Sequence, residues 1–182
     1  MKSIAHLLFE ACFLKHLPRS GYAYLGAGRE SVAEHVYSAT FIAFVMAQLE
    51  PKADAHRLVC MCLVHDLPET RLGDLNYVQK HYLNKVDAEA LKDAVEEVPF
   101  GSRIESLAAE FEAGKTLESR LAHDADQLAL MIDLKSLKDI GYRSPDTWLP
   151  HVEKRLKTPL GKQLGKALLA TDHDGWWRKL FY

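Results

Sequence analysis

The chain has 182 residues, of which 48% are hydrophobic and 26% are charged, values typical of a single soluble globular domain. Its formal net charge is −2, so nothing indicates the basic stripe that binding to a nucleic-acid polymer needs, although a local basic pocket for a small anion stays open. We expect no apolar run long enough to span a bilayer. The cysteines, Cys12, Cys60 and Cys62, form no C-x-x-C pair, and we expect them to be buried and reduced in a cytoplasmic protein.

The spacing of apolar residues predicts helices along almost the whole chain. The first covers residues 3–16, and its interspersed charges are typical of an amphipathic helix and not of a signal peptide. A glycine-rich loop follows at 18–30. Ser31 and Glu34 then form an S-x-x-E pattern, which predicts a helix that begins at Ser31 and ends near residue 50.

The next predicted helix covers residues 52–66 and is apolar all round in its last part, which indicates a central, buried position. Pro68 disfavours helical backbone at the preceding residue, so this helix should end near Asp66. Further helices are predicted over 77–97, 102–113 and 116–140, and Pro145 and Pro159 each begin another one. Because no stretch alternates as a strand does, the predicted fold class is all-α, in one domain over 1–182.

Four ionisable side chains lie next to apolar residues on these helices: His35, His65, Asp66 and Asp126. A carboxylate beside an apolar stripe costs several kcal/mol unless it is paired or bound to a metal. Two imidazoles and two carboxylates together suit a first-row divalent ion, whose charge the carboxylates balance. His65 and Asp66 are neighbours and point about 100° apart on a regular helix, so they can share one ion only where the helix ends.

The motifs SVAEH, LVHDLPETRLGD and AHDADQLA, in this order, resemble the HD-domain metal-dependent phosphohydrolases. The upstream segment LPRSGYAYLGAGRESVAEH resembles the 5'-deoxynucleotidase branch, in which a loop Arg precedes the first His. The resemblance covers about residues 10–140, and it implies an HD-domain helical bundle with a metal site between the central helices. The C-terminal helices, about 145–182, carry no recognised motif.

The resemblance implies one divalent transition metal ion (Mn, Co, Zn, Fe or Ni), and its ligands would be His35, His65, Asp66 and Asp126. An N₂O₂ set binds several such ions, so the residues do not select one. Asp124 points away from Asp126 on a helix and is a poor further ligand.

The resemblance also implies roles for four other residues, which are Glu69, Asp74, Arg19 and Tyr22. Glu69 and Asp74 match the catalytic acidic residues, and we favour Glu69 for orienting the attacking water and Asp74 for proton transfer. Arg19 matches the residue that contacts the phosphate. Tyr22 lies nearest to the position where the branch often has a Trp that packs on the sugar.

The implied activity is removal of the 5'-phosphate from (deoxy)ribonucleoside monophosphates in the cytoplasm, with neither a nucleic-acid polymer nor a membrane as partner. Three alternatives stay open: an HD phosphohydrolase for another small phosphate ester, a di-iron HD oxygenase, and a non-catalytic nucleotide-binding module. The oxygenase needs more ligands, for which His81 and His123 are available; His123 is also a candidate for a supporting or phosphate-binding role. Relatives are often homodimers, so the aromatic C-terminus is expected to pack on the core or on a second copy.

Overall fold

The computed structural model describes residues 1–84 and 86–181. Within these ranges the chain is built from helices, with one isolated β-bridge between Pro18 and Ser31 and no sheet. The predicted all-α fold class is confirmed. The helices in chain order are α1 (Lys2–Phe13), followed by a 3-10 turn (Leu14–His16), α2 (Tyr22–Leu25), α3 (Val32–Leu49), α4 (Ala55–Val64), α5 (Glu69–Leu72), α6 (Tyr77–Tyr82), α7 (Asp87–Val95), α8 (Gly101–Ala113), α9 (Leu117–Asp139), α10 (Pro145–Arg155), α11 (Pro159–Leu169) and α12 (Gly175–Arg178).

Helices α3, α4 and α9 pack against one another at the centre of the domain, and α10 and α11 both pack on α9. The main core lies between these helices, and its largest fully buried side chains include Met46, Leu58, Met61, Leu121 and Leu128. Each such side chain stabilises the fold by about 1.5–3 kcal/mol through burial of its apolar surface. This packing fixes the three central helices relative to one another.

Helix α3 begins as the S-x-x-E pattern predicts. The backbone N–H of Glu34 donates to Ser31 Oγ at 3.2 Å, and the backbone N–H of Ser31 donates to Glu34 Oε2 at 2.6 Å. By length and composition alone α3 is apolar enough to cross a membrane, which the sequence analysis did not expect. A single helix of this kind is weak evidence, because core helices of soluble proteins pass the same test.

Helix α4 is shorter than predicted, because Asp54 caps it by accepting a hydrogen bond from the N–H of Arg57 at 2.9 Å. It is also not buried all round. Met61 and Cys62 are buried, whereas the side chain of Leu63 is 57% exposed. Helices α3, α8 and α9 cover one side of α4, and the other side faces outward.

The prediction of a single helix over 77–97 is wrong. The structure describes this range except for Lys85, and it contains two helices, α6 and α7. Asn76 caps α6, which buries no residue, and the backbone turns to an extended conformation at Leu83 (φ −107°, ψ 139°). Helix α7 is separate and packs on α8. Because no packing supports α6, its continuation depends on intrinsic propensity alone, which is weak.

The predicted burial of all three cysteines is wrong. Cys62 is buried and Cys60 is half-buried, but Cys12 is exposed on α1; all three are free thiols. At the C-terminus, Trp176 is 71% and Phe181 is 74% exposed, so these two residues do not pack on the core, and packing on a second copy stays an expectation. Tyr182 lies outside the described residues.

Candidate metal centre

Three predicted ligands meet between the central helices. His35 lies on α3, His65 directly follows α4, and Asp126 lies on α9. His35 Nε2 is 2.9 Å from Asp126 Oδ1, and one ligand atom from each of the three residues lies within 4.8 Å of the other two. This spacing could hold one metal ion.

The Asp66 carboxylate also lies close to His35 and His65. Its Oδ2 atom lies 3.1 Å from His65 Nε2 and 3.9 Å from His35 Nε2. Helix α4 ends at Val64, and the chain then turns before α5 begins at Glu69. Because His65 and Asp66 occupy this turn, their side chains can converge although they are adjacent in sequence.

The donor atoms of this cluster fit a first-row divalent ion. His65 Nε2 and Asp66 Oδ2 are buried and lie 3.1 Å from each other, and neither has any other hydrogen-bond partner among the described residues, which is costly for polar atoms. His65 Nδ1 lies 2.7 Å from the backbone carbonyl of Cys62. If Nδ1 donates this hydrogen bond, the lone pair of Nε2 is left free for a metal ion, as in many protein metal sites.

The negative charge of the cluster also favours a cation. Burial lowers the pKa of His65, but the adjacent Asp66 carboxylate outweighs burial and raises this pKa to about 9. Burial raises the pKa of Asp66, and the neighbouring imidazoles and Arg19 outweigh it and lower this pKa to about 2. The pKa of Asp126 is lowered in the same way, mainly by its hydrogen bond to His35, against the opposing effect of burial.

Two residues that the sequence analysis did not single out support the ligands. Gln127 Nε2 donates to Asp126 Oδ2 at 2.9 Å, which fixes the orientation of that carboxylate. Phe111 packs between the rings of His65 and His123, with ring centroids 5.0 and 4.1 Å apart. The position of Gln127, directly after Asp126, was the available signal in the sequence.

The two histidines considered for a second metal differ from the cluster in their surroundings. His123 Nε2 lies 2.8 Å from the carbonyl oxygen of Phe111, so this nitrogen is in hydrogen-bond contact with the backbone. His81 is exposed on α6, where its ring meets the edge of Tyr82. Neither belongs to the group of possible metal ligands found among the described residues.

Arg19 lies beside the candidate metal position. Its Nη1 atom is 3.8 Å from Asp66 Oδ2 and 3.6 Å from Asp74 Oδ1, and its Nε atom is 3.9 Å from Glu30 Oε2. Burial lowers the pKa of the Arg19 guanidinium, but the charges of Asp66, Asp74, Asp126 and Glu69 outweigh burial and raise this pKa, so Arg19 stays charged. A cation therefore lies at the edge of the acidic cluster.

Asp74 holds the loop that carries Arg19. Asp74 Oδ2 accepts hydrogen bonds from the backbone N–H of Ser20 at 2.6 Å and from its hydroxyl at 3.2 Å. The backbone N–H of Arg19 donates to the carbonyl of Glu30 at 2.8 Å, so the loop is also closed at its base. Both oxygens of Asp74 thus face the Arg19–Ser20 segment.

Glu69 is the first residue of α5, not a loop residue as the sequence suggested, and its side chain is largely buried. Its Oε2 atom has no hydrogen-bond partner within the described chain. Burial, together with the charges of Asp66 and Asp74, raises the pKa of Glu69 to about 9. This carboxyl therefore offers an unengaged oxygen next to the cluster.

Tyr22 belongs to a second acidic group beside the metal cluster. Its hydroxyl donates to Asp133 and lies 3.4 Å from Glu30 Oε2. Burial, followed by the charge of Asp133, raises the pKa of Glu30 to about 8. Sequence reasoning missed Glu30 and Asp133, although Asp133 follows Asp126 by about two helical turns and so shares its face of α9.

A family model described as HD domain matches residues 12–167. A conserved hypothetical protein from Pyrococcus furiosus is 28% identical, with a TM-score of 0.77 over 91% of this chain and 98% of its own. A protein from Pyrococcus horikoshii is 24% identical, with a TM-score of 0.75 over 90% and 95%. A predicted metal-dependent phosphohydrolase from Magnetospirillum magnetotacticum is 20% identical, with a TM-score of 0.69 over 93% of each chain. None of the curated proteins matches this chain.

Proposed function

The chain belongs to the HD domain family, and from this premise we propose that it is a metal-dependent phosphohydrolase that removes the 5'-phosphate from (deoxy)ribonucleoside monophosphates. One observation carries the proposal. The guanidinium of Arg19 lies 3.8 Å from the carboxylate of Asp66, a candidate metal ligand, so two positive charges would face one bound phosphate. The Magnetospirillum protein is named a predicted metal-dependent phosphohydrolase, and we extend that general activity to this chain.

In this proposal His35, His65, Asp66 and Asp126 hold one divalent transition metal ion. When bound, such an ion lowers the pKa of water and neutralises charge on phosphoryl oxygens. The buried His65 Nε2 and Asp66 Oδ2 atoms, which have no partner beyond each other among the described residues, support this assignment. The identity of the ion is left open, because nitrogen and oxygen ligands of this kind accept several first-row metals.

Arg19 binds the phosphate in this mechanism. A guanidinium presents parallel N–H groups that can donate to two phosphoryl oxygens at once. Asp74 and Glu30 lie on different sides of the Arg19 side chain, which restricts the directions in which it can point. A phosphate bound there would be oriented before the reaction, which lowers the entropic cost of reaching the transition state.

Glu69 is proposed to orient the attacking water in this mechanism. Its buried Oε2 atom has no partner within the described residues and is free to accept a hydrogen bond from water. Asp74 is proposed to take a proton from that water and to pass it to the leaving 5'-oxygen. Its hydrogen bonds to Ser20 add a second task, which is to hold the Arg19 loop in place.

Tyr22 is proposed to contact the sugar through its ring, because its hydroxyl is engaged by Asp133 and Glu30. The protein would act on small nucleotides in the cytoplasm, as a homodimer, with no nucleic-acid polymer or membrane as partner. The alternative of another small phosphate ester uses the same groups and differs only in what fills the space beyond the phosphate.

The test is a phosphate-release screen of ribo- and deoxyribonucleoside monophosphates with Mn²⁺, Co²⁺ or Zn²⁺. We expect release from deoxynucleoside monophosphates, and a loss of release in Asp126→Ala. Release from other phosphate esters but from no nucleotide would favour the alternative. If folded, metal-loaded protein released phosphate from none of them, the proposal would be wrong.

A further inference from the structure

Glu30 lies where three functional side chains meet. Its Oε2 atom is 3.8 Å from His35 Nδ1, 3.9 Å from Arg19 Nε and 3.4 Å from the hydroxyl of Tyr22. The side chain of Glu30 is only 8% exposed. One buried carboxylate thus faces a candidate metal ligand and the proposed phosphate-binding residue.

His35 needs an acceptor at Nδ1. If Nε2 binds a metal ion, Nδ1 carries the proton, and metal-binding imidazoles usually donate that proton to a carboxylate or a carbonyl. His35 is fully buried, and its Nδ1 atom has no hydrogen-bond partner in the described part of the chain. A buried donor without an acceptor is energetically costly. Glu30 Oε2 needs to approach by only about 1 Å to become that acceptor, and such contacts commonly tighten on ligand binding.

The backbone keeps Glu30 close to both partners. The carbonyl of Glu30 accepts from the N–H of Arg19 at 2.8 Å, and the N–H of Val32 donates to the carbonyl of Leu17 at 2.9 Å. These hydrogen bonds flank the bridge between Pro18 and Ser31. The capping box of Ser31 then fixes the start of α3, which carries His35. The backbone at Glu30 is therefore held on both sides, which keeps its side chain near His35 and Arg19.

We propose that Glu30 is a positioning residue that accepts the Nδ1 proton of His35 and holds Arg19 through Nε, and so couples the metal site to the phosphate site. The Arg19 half of this inference rests on the proposed function; the His35 half requires only that a metal binds. Glu30 touches neither the metal nor the phosphate, and it acts through the two residues that do.

The first experiment measures Mn²⁺ affinity without substrate, by competition with a chelating dye. Glu30→Ala should weaken binding by about 10–100-fold, the usual effect of removing a carboxylate behind a metal ligand. Asp133→Asn is the matched control, because it changes a direct neighbour of Glu30 and Tyr22 but leaves the Glu30 carboxylate in place to accept from His35. It should keep Mn²⁺ affinity within about 3-fold of the wild type.

The second experiment identifies the contact itself. In Zn²⁺-loaded protein, the Nδ1 proton of His35 should give a slowly exchanging NMR resonance that is present in Asp133→Asn and absent in Glu30→Ala. Wild-type Mn²⁺ affinity together with a retained resonance in Glu30→Ala would overturn the proposal. If Glu30→Ala does not fold, Glu30→Gln decides: its neutral oxygen is a weaker acceptor, so Mn²⁺ should bind more weakly than in the wild type, and equal affinity overturns the proposal.

The third experiment tests the Arg19 half, with inorganic phosphate as the probe and Mn²⁺ at saturation. Glu30→Ala should bind phosphate several-fold more weakly, because Arg19 is no longer held in direction. Tighter binding would mean that Glu30 only offsets the charge of Arg19, and would overturn this half. Neither binding measurement needs hydrolysis, so a negative nucleotide screen leaves their outcome unaffected.

Discussion

Asp124 and Thr158 are joined by two hydrogen bonds to one carboxylate oxygen. Asp124 Oδ2 accepts from the backbone N–H of Thr158 at 2.8 Å and from its hydroxyl at 2.6 Å. Oδ1 accepts from the N–H of Lys157 at 2.6 Å. Asp124 is fully buried and lies on α9 close to Asp126, so it links the start of α11 to the helix that carries a candidate metal ligand.

Replacement of Asp124 should therefore destabilise the whole domain. Asp124→Ala leaves the N–H groups of Lys157 and Thr158 without their acceptor, and we expect the free energy of unfolding to fall by about 2–4 kcal/mol. Urea unfolding followed by circular dichroism measures this change. Asp146→Ala, on the exposed start of α10, is the control and should change stability by less than about 1 kcal/mol. An Asp124→Ala variant as stable as the wild type would contradict this reading of the contact.

A glycine is required where α11 approaches Asp124. A Cβ atom on Gly161 would lie 2.2 Å from Asp124 Oδ2, well inside van der Waals contact. Gly161→Ala should thus force α11 away from α9 and lower the melting temperature. Gly175→Ala is the matched control, because the added Cβ would meet only Asp172 Cβ, at 3.9 Å. Equal melting temperatures for the two variants would contradict this prediction, because they would mean that α11 moves away from Asp124 without loss of stability.

The metal content should be one ion per chain. Elemental analysis of the purified protein checks this value, and Asp126→Ala should lower it strongly because a ligand is lost. His81→Ala should leave the content unchanged, since His81 is exposed on α6. Two ions per chain, with a loss in His81→Ala, would instead favour a di-iron centre.

Stability of the metal-stripped protein should fall as the pH rises from 6 to 9. The pKa of His65 is raised to about 9, so the stability from its proton is complete below about pH 6.5 and is lost as the pH rises through 9. The raised pKa of Glu69, also about 9, acts in the same direction, because ionising this buried carboxyl is costly. Thermal unfolding in a chelator at both pH values measures the effect.

Two comparisons sharpen the pH experiment. Glu69→Gln removes one of the titrating groups, so its melting temperature should fall less between pH 6 and 9. Added Zn²⁺ should stabilise the protein more at pH 9 than at pH 6, because a metal and a proton compete for His65. A melting temperature that rises with pH in the chelator would contradict the charge arrangement described above.

The central part of the fold was predictable because its signals are local. The S-x-x-E pattern located the start of α3, and Pro68 located the turn that lets His65 and Asp66 converge. The predicted ligands meet because apolar residues on the same helices pack into the core and bring the ligands together. The apolar spacing that predicts the helices therefore also predicts the position of the site. The assignment of roles to Glu69, Asp74, Arg19 and Tyr22 stays a prediction.

The misses share a different cause, which is that they depend on contacts between distant segments. The apolar run before His65 does not reveal which helices cover it, so the exposure of Leu63 was not foreseen. A loop residue such as Glu30 looks solvated in sequence, and only the folded loop places it behind His35. Asp124 likewise appeared to be a spare carboxylate near Asp126 until its partners on Thr158 were known.

The loop between Arg19 and Glu30 is tied at its base by the hydrogen bond between these two residues and by the bridge beside it. Gly26, at the tip of the loop, takes no part in these contacts. A Cβ atom on Gly26 would meet nothing within 4 Å, although its positive φ of 74° favours glycine. The space beside Gly26 can therefore take a side chain without displacing the charges at the base of the loop, at the cost of the positive φ alone. Its neighbour Leu25 has no such freedom, because it is buried in the core.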